Sequence, residues 1–183
     1  AALPAGPPVA VTVEPDPGPR YRLGTTVLEG EFSPEIRAAF DLTPGAPARA
    51  ADVLAAGAAV LGALRESGHA LAQVPPPEAL VDHDARTLDI TYRPEPGPRL
   101  ALGDVSISGL DRLREDWVRR RLGLAPGEPY SPSRLEDARN ALLASGALAW
   151  ARLTPVDVPD AEDRLPLTLE VAERPRRSLR LSA

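Results

Sequence analysis

His83 stands between Asp82 and Asp84, the one place where an imidazole and two carboxylates are sequence neighbours and could hold a metal ion or relay a proton. The stretch around it is polar and separates two runs of apolar character, so it reads instead as a solvated turn between strands. The other histidine, His69, follows Gly68 and reads as a part-exposed side chain at a strand start. With no cysteine there is no thiol nucleophile, and no HExxH, Ser-x-x-Lys, P-loop or GxSxG pattern occurs. No catalytic residue, metal ligand or cofactor site is expected. All 21 basic residues are arginine, and against 26 acidic residues they leave a net charge of −5, which opposes nucleic-acid binding. Arg119, Arg120 and Arg121 read as a solvated helix face. The group Arg174, Arg176, Arg177 and Arg180 would suit anionic lipid headgroups if a membrane lies beside the end of the chain.

The elements that position these residues are set by an internal repeat. When Val9 to Gly30 is laid over Leu88 to Gly109, 9 of 22 residues are identical at a constant displacement of 79 positions. The identities are backbone punctuation: Pro15/Pro94, Pro17/Pro96, Gly18/Gly97, Pro19/Pro98, Gly24/Gly103 and Gly30/Gly109, with Arg20/Arg99 and Leu23/Leu102 between them. Repeated punctuation implies a repeated structural unit. A third, degraded copy spans Leu167 to Leu181, so the chain reads as part of an array. The period divides the 183 residues into a tail over 1–19, modules over 20–97 and 98–176, and a closing link over 177–183. Modules this small bury only about 60% of their unfolded surface and lean on neighbour contacts.

Each module opens with a short strand, Thr25 to Leu28 and Val105 to Ser108, ended by glycine. Ser33-Pro34 starts a short helix to Phe40, and its counterpart runs from Arg114 to Leu122 with Leu113, Trp117, Val118 and Leu122 on one face. The Pro-Gly steps of LTPG (Leu42 to Gly45) and LAPG (Leu124 to Gly127) force turns. A longer helix follows, striped by Val53, Leu54, Val60, Leu61 and Leu64 in the first module and by Leu135, Ala138 and Leu142 in the second, where Ser133 and Glu136 suggest a capping box. Gly68 and Gly146 are placed to end these helices. Two strands close each module: Ala70 to Val74, with a possible continuation at Ala79 to Val81, then Thr87 to Tyr92; and Leu148 to Leu153, then Leu167 to Val171. The expected fold is α+β, tandem β-α-α-β-β modules with two helices on one face of a three-stranded mixed sheet. The strand Val9 to Val13 reads as the last strand of a preceding module. The longest apolar stretch, Val53 to Leu64, falls well short of the ~20 residues of a membrane span.

This order, with an extended strand passing through GPRYRLG (Gly18 to Gly24) or GPRLALG (Gly97 to Gly103), the LxPG helix ends and the Ser67-Gly68 and Ser145-Gly146 steps, resembles the POTRA domains of the outer-membrane assembly barrel superfamily. Within it the linkers and the closing RPRRSLRLSA are most similar to the TamA family, with the BamA family next and two-partner secretion barrels after that. The resemblance implies a periplasmic, non-enzymatic scaffold that receives unfolded outer-membrane protein or autotransporter clients and passes them to its own C-terminal barrel, with an inner-membrane-anchored, TamB-like partner. It also implies binding by β-augmentation, in which an extended client adds to an exposed sheet edge. By that resemblance the edges would be Ala70, Leu71, Ala72, Gln73 and Val74 in the first module, and Leu148, Ala149, Trp150, Ala151, Arg152 and Leu153 in the second. The proline-stiffened linkers Gly18, Pro19, Arg20 and Gly97, Pro98, Arg99 would hold adjacent modules in a defined mutual orientation. A spacer holding the barrel at a fixed distance from its partner is the rival role.

Overall fold

The computed structural model describes residues 19–175. These form two successive β-α-α-β-β modules: β1 (Arg22–Leu28), α1 (Pro34–Ala39), α2 (Ala50–Glu66), β2 (Glu78–Asp82) and β3 (Thr87–Tyr92), then β4 (Ala101–Ser108), α3 (Glu115–Leu122), α4 (Pro132–Leu143), β5 (Leu148–Pro155) and β6 (Arg164–Glu173). The sheets are ordered β1-β3-β2 and β4-β6-β5. In each, the last strand is central, parallel to the first and antiparallel to the second. A parallel pair needs a long crossover, and the two helices supply it, which places both on one face. Separate apolar clusters lie under the helices, one around Leu23, Val60, Leu64, Ile90 and Tyr92, the other around Leu102, Val118, Leu142, Leu148 and Leu169.

The repeated residues meet one another. The parallel register slips between Leu23 and Thr26 in one module and between Leu102 and Val105 in the other, so each Leu-Gly step is a β-bulge. Gly24 and Gly103 sit in those bulges because a Cβ there would lie 2.2 Å from Asp89 Oδ1 or 3.1 Å from the Leu165 carbonyl carbon. The LxPG turns dock on the bulges. Gly45 N donates to Leu23 O and Leu23 N to Ala46 O, and Gly127 N and Leu102 N repeat the pattern with Leu102 O and Glu128 O.

Three expectations need correction. Leu54 is 68% exposed, because α2 turns Val53, Ala56, Gly57, Val60 and Leu64 inward and leaves Leu54 on the far side. The α4 N-cap is Ser131, whose Oγ accepts from Arg134 N with Pro132 at the first helical position; Ser133 lies inside the helix and Glu136 pairs with Arg139. Ala70 to Val74 is not a strand of the sheet. Only Gln73 pairs, with Glu95, because Pro75, Pro76 and Pro77 have no N–H to offer a ladder, and regular pairing resumes at Glu78. The α2 end runs as expected, to Gly68 at φ +98°. Trp117 and Leu113 pack against the second core. The arginine run is tied within its module: Arg119 to Glu115 and Val105 O, Arg120 to Asp116, and Arg121 to Ala141 O. Val9 to Val13, Gly18, Arg176, Arg177 and Arg180 lie outside the described residues.

Candidate strand-pairing edges

Among the described residues, the second strand of each sheet is paired on one side only. In β5, Val156 donates to Pro166 O at 2.8 Å. Backbone polarity alternates along an antiparallel strand, so Trp150, Arg152 and Thr154 turn their N–H and C=O groups toward β6 while Ala151, Leu153 and Pro155 turn theirs outward. Pro155 occupies an outward position, where a missing N–H costs no ladder bond. Ala149 lies in a bulge between Leu148 and Trp150, which lets Leu148 and Ala151 both reach the core. Trp150, 49% exposed, stands on the outer face opposite Ala172. Thus Leu148 to Leu153 lies at the end of the sheet, and the amides of Ala151 and Leu153 face away from β6 with no partner among the described residues. Helix α4 packs beside this strand and walls one side of it.

In the first module the edge is β2, found at Glu78 to Asp82, where the sequence suggested only a continuation of the Ala70 to Val74 strand through the apolar run Ala79-Leu80-Val81. All five of its residues are exposed, Leu80 at 69%. Arg93 clamps the end of this edge, pairing at 2.8 Å with Glu78 and at 2.8 Å with Glu29. His83, in the turn between β2 and β3, accepts or donates at Nδ1 to Tyr21 Oη, 2.7 Å away; among the described residues no cluster of metal ligands surrounds it.

Ala70 to Val74 serves the junction between modules. Ala70 and Leu71 pack against the second core, Ala72 is buried in the first, and Val74 packs against the first. Around them Leu100 N donates to Gly68 O, and His69 Nδ1 lies 2.9 Å from Gly97 O. Glu66, which sequence reading missed, accepts from Ser131 Oγ, Ser133 N and Ser133 Oγ at 2.7 to 3.0 Å and so caps a helix of the neighbouring module. Desolvation pushes the Glu66 carboxyl upward, but the Ser131 and Ser133 hydrogen bonds outweigh it and hold the pKa below its ordinary value. The dipeptide Ser131-Pro132, the same pair of residue types that starts α1 at Ser33-Pro34, was the available signal for this helix start.

At the far end, Glu173 accepts from the backbone N–H groups of Leu113, Asp111 and Arg112 and pairs with the Arg112 side chain. The Leu113 amide, then those of Asp111 and Arg112, hold its carboxyl down at about 2. Arg174 donates from its backbone to Ala147 O and from Nε to Leu148 O, which fixes the start of β5.

Residues 101–174 match the POTRA family, described as surface antigen variable number repeat. Over 170 residues, 91% of this chain, the sequence is 24% identical to the outer membrane protein assembly factor BamA of Neisseria meningitidis serogroup B, and over 123 residues it is 29% identical to BamA of Neorickettsia risticii. The chain spans 21% and 16% of those proteins. Among solved structures, the Haemophilus influenzae BamA POTRA3-5 fragment superposes with a TM-score of 0.71 at 20% identity, covering 84% of this chain and 61% of that one. Haemophilus ducreyi BamA lacking POTRA domains 1-3 gives 0.68 at 16% identity, covering 84% and 30%. The fold is that of POTRA domains. Both curated relatives are BamA, so the nearer likeness to TamA read from the linkers is not supported.

Proposed function

Starting from a chain that carries POTRA domains, we propose that it belongs to the periplasmic part of an outer-membrane protein assembly factor of the BamA kind. Its role is non-enzymatic: unfolded outer-membrane clients add as strands and pass to a barrel. The observation that carries this reading is the β5 edge, where Ala151 and Leu153 present free main-chain donors and acceptors beside α4. Main-chain pairing is largely blind to client sequence, which suits a receptor of many chains. Arg174 and the arginines beyond it are the candidates for facing anionic headgroups next to the barrel. An autotransporter client or a TamB-like partner would fit a TamA-type factor, and the BamA relatives weigh against that choice.

The test is a titration of extended, alternating apolar peptides against Leu153→Pro and Leu153→Ala, with circular dichroism as the folding control. Both variants lose the half-buried leucine, but only proline removes an outward N–H. Weaker binding by the proline variant alone is expected, and equal affinities would rule this edge out. The junction at Glu66 favours a second role as a stiff spacer. Photo-crosslinks to clients confined to the first module's outer end, and absent from β5, would favour that spacer over the receptor.

A further inference from the structure

The two modules present the same docking surface, and only one copy is filled within the described chain. Pro98 to Ala101 and Pro129 to Ser131 form that surface in the second module, and the repeat places Pro19 to Arg22 and Pro47 to Arg49 at the matching positions of the first. The backbones agree in detail. Ala101 bridges Pro129 as Arg22 bridges Pro47, and Tyr130 N donates to Leu100 O at 3.1 Å as Ala48 N donates to Tyr21 O at 3.0 Å. In the second module the surface receives the end of α2: Glu66 caps α4, Gly68 O accepts from Leu100 N, and Leu71 packs on the core. In the first module the same place is a cleft of about 550 Å³ that no other described residue fills.

We propose that this cleft is a socket for another module of the same build, specifically for the C-terminal end of its second helix bearing a carboxylate at the position of Glu66. The floor keeps its character with the side chains exchanged, since Leu100 and Tyr130 become Tyr21 and Ala48. The rim gains a positive charge suited to a carboxylate. Ser131 and Ser133, which bind the Glu66 carboxylate, are replaced by Arg49 and Ala51, so an arginine stands where two hydroxyls stood. Arg49 is the N-cap of α2, provides no side-chain cap to it, and has no salt bridge among the described residues. An incoming carboxylate would therefore meet a guanidinium and the free amides of a helix start together, as Glu66 meets Ser133 N. A second copy of this chain is a poor occupant. Its α4 ends in Leu143-Ala144-Ser145-Gly146 where α2 ends in Arg65-Glu66-Ser67-Gly68, so Ala144 supplies no carboxylate. This assignment is independent of the client edge.

The test uses the isotope-labelled chain and an unlabelled peptide of its own residues 57–74, which carries the α2 end through Leu71. The second socket is already filled from within the chain. At millimolar peptide, amide shifts are expected at Tyr21, Ala48, Arg49 and Ala51. A Glu66→Gln peptide, or Arg49→Ala in the chain, should weaken binding about tenfold, the effect of losing one charge-assisted contact. No shift at the first module, shifts only around Leu100 and Ser131, or equal binding by the Gln peptide would each overturn the proposal. So would sedimentation showing that the chain alone dimerises through this cleft.

Discussion

Glu173 shows how one side chain can fix a loop that has no regular structure. Its carboxylate takes three successive backbone amides, Asp111 to Leu113, in the turn leading to α3. The folded pKa near 2 lies below the ordinary 4.5, so the stabilisation is fully present above about pH 4.5 and is lost as pH falls toward 2. Glu173→Gln is expected to lower stability near neutral pH and to shrink the acid-side decline, measured as denaturation midpoints across that range; parallel curves for the two proteins would contradict this. A second residue-scale prediction contrasts two glycines. Gly109 has φ +85° and a Cβ there would lie 2.0 Å from Val171 O, whereas Gly146 has φ +73° and open space around it. Gly146→Ala should cost roughly 1–2 kcal/mol for the left-handed backbone. Gly109→Ala should cost that plus roughly 1–3 kcal/mol for the forced shift of β6. Equal losses in urea titrations would show that β6 gives way freely.

At the scale of elements, proline and register decide what a strand can do. Arg152 is exposed but turns its amide to β6, while Leu153 turns its amide out. Arg152→Pro should therefore cost about 3 kcal/mol or more and collapse the second sheet, although the side chain it removes touches little. Retained thermal stability for Arg152→Pro would show the alternation to be shifted by one residue. The same logic explains where the sequence misled. Ala70 to Val74 has strand composition and the matching place in the repeat, yet Pro75 to Pro77 interrupt the ladder, and the segment is used to join modules instead. The helices were legible from periodicity and from Ser-Pro and Pro-Gly steps, while Leu54 was misplaced because the stripe of valines and leucines runs through an alanine-rich helix in which Ala56 and Gly57 turn inward instead.

For the whole molecule, the junction is the feature that determines shape. Glu66 crosses from one module to cap a helix of the next, and Leu100 ties its backbone to the α2 end. Glu66→Ala should leave both modules folded but widen the distance distribution between spin labels on β2 and β5. A distribution as narrow as that of the unsubstituted protein would assign the coupling to Leu71 and the linker prolines alone.

Module order, the repeat, the turns and the two helices per module are legible in the chain alone, because glycine, proline and apolar spacing act through local backbone geometry. The sequence also pointed to Leu148 to Leu153 as an edge, through the resemblance to POTRA domains. Folding sets which amides of that strand face outward, that β2 lies beyond the prolines, and that Glu66, Ser131 and Ser133 meet. The first two depend on strand register and the third on contacts between residues more than 60 positions apart, and a repeat shows which residues are equivalent without showing which ones touch.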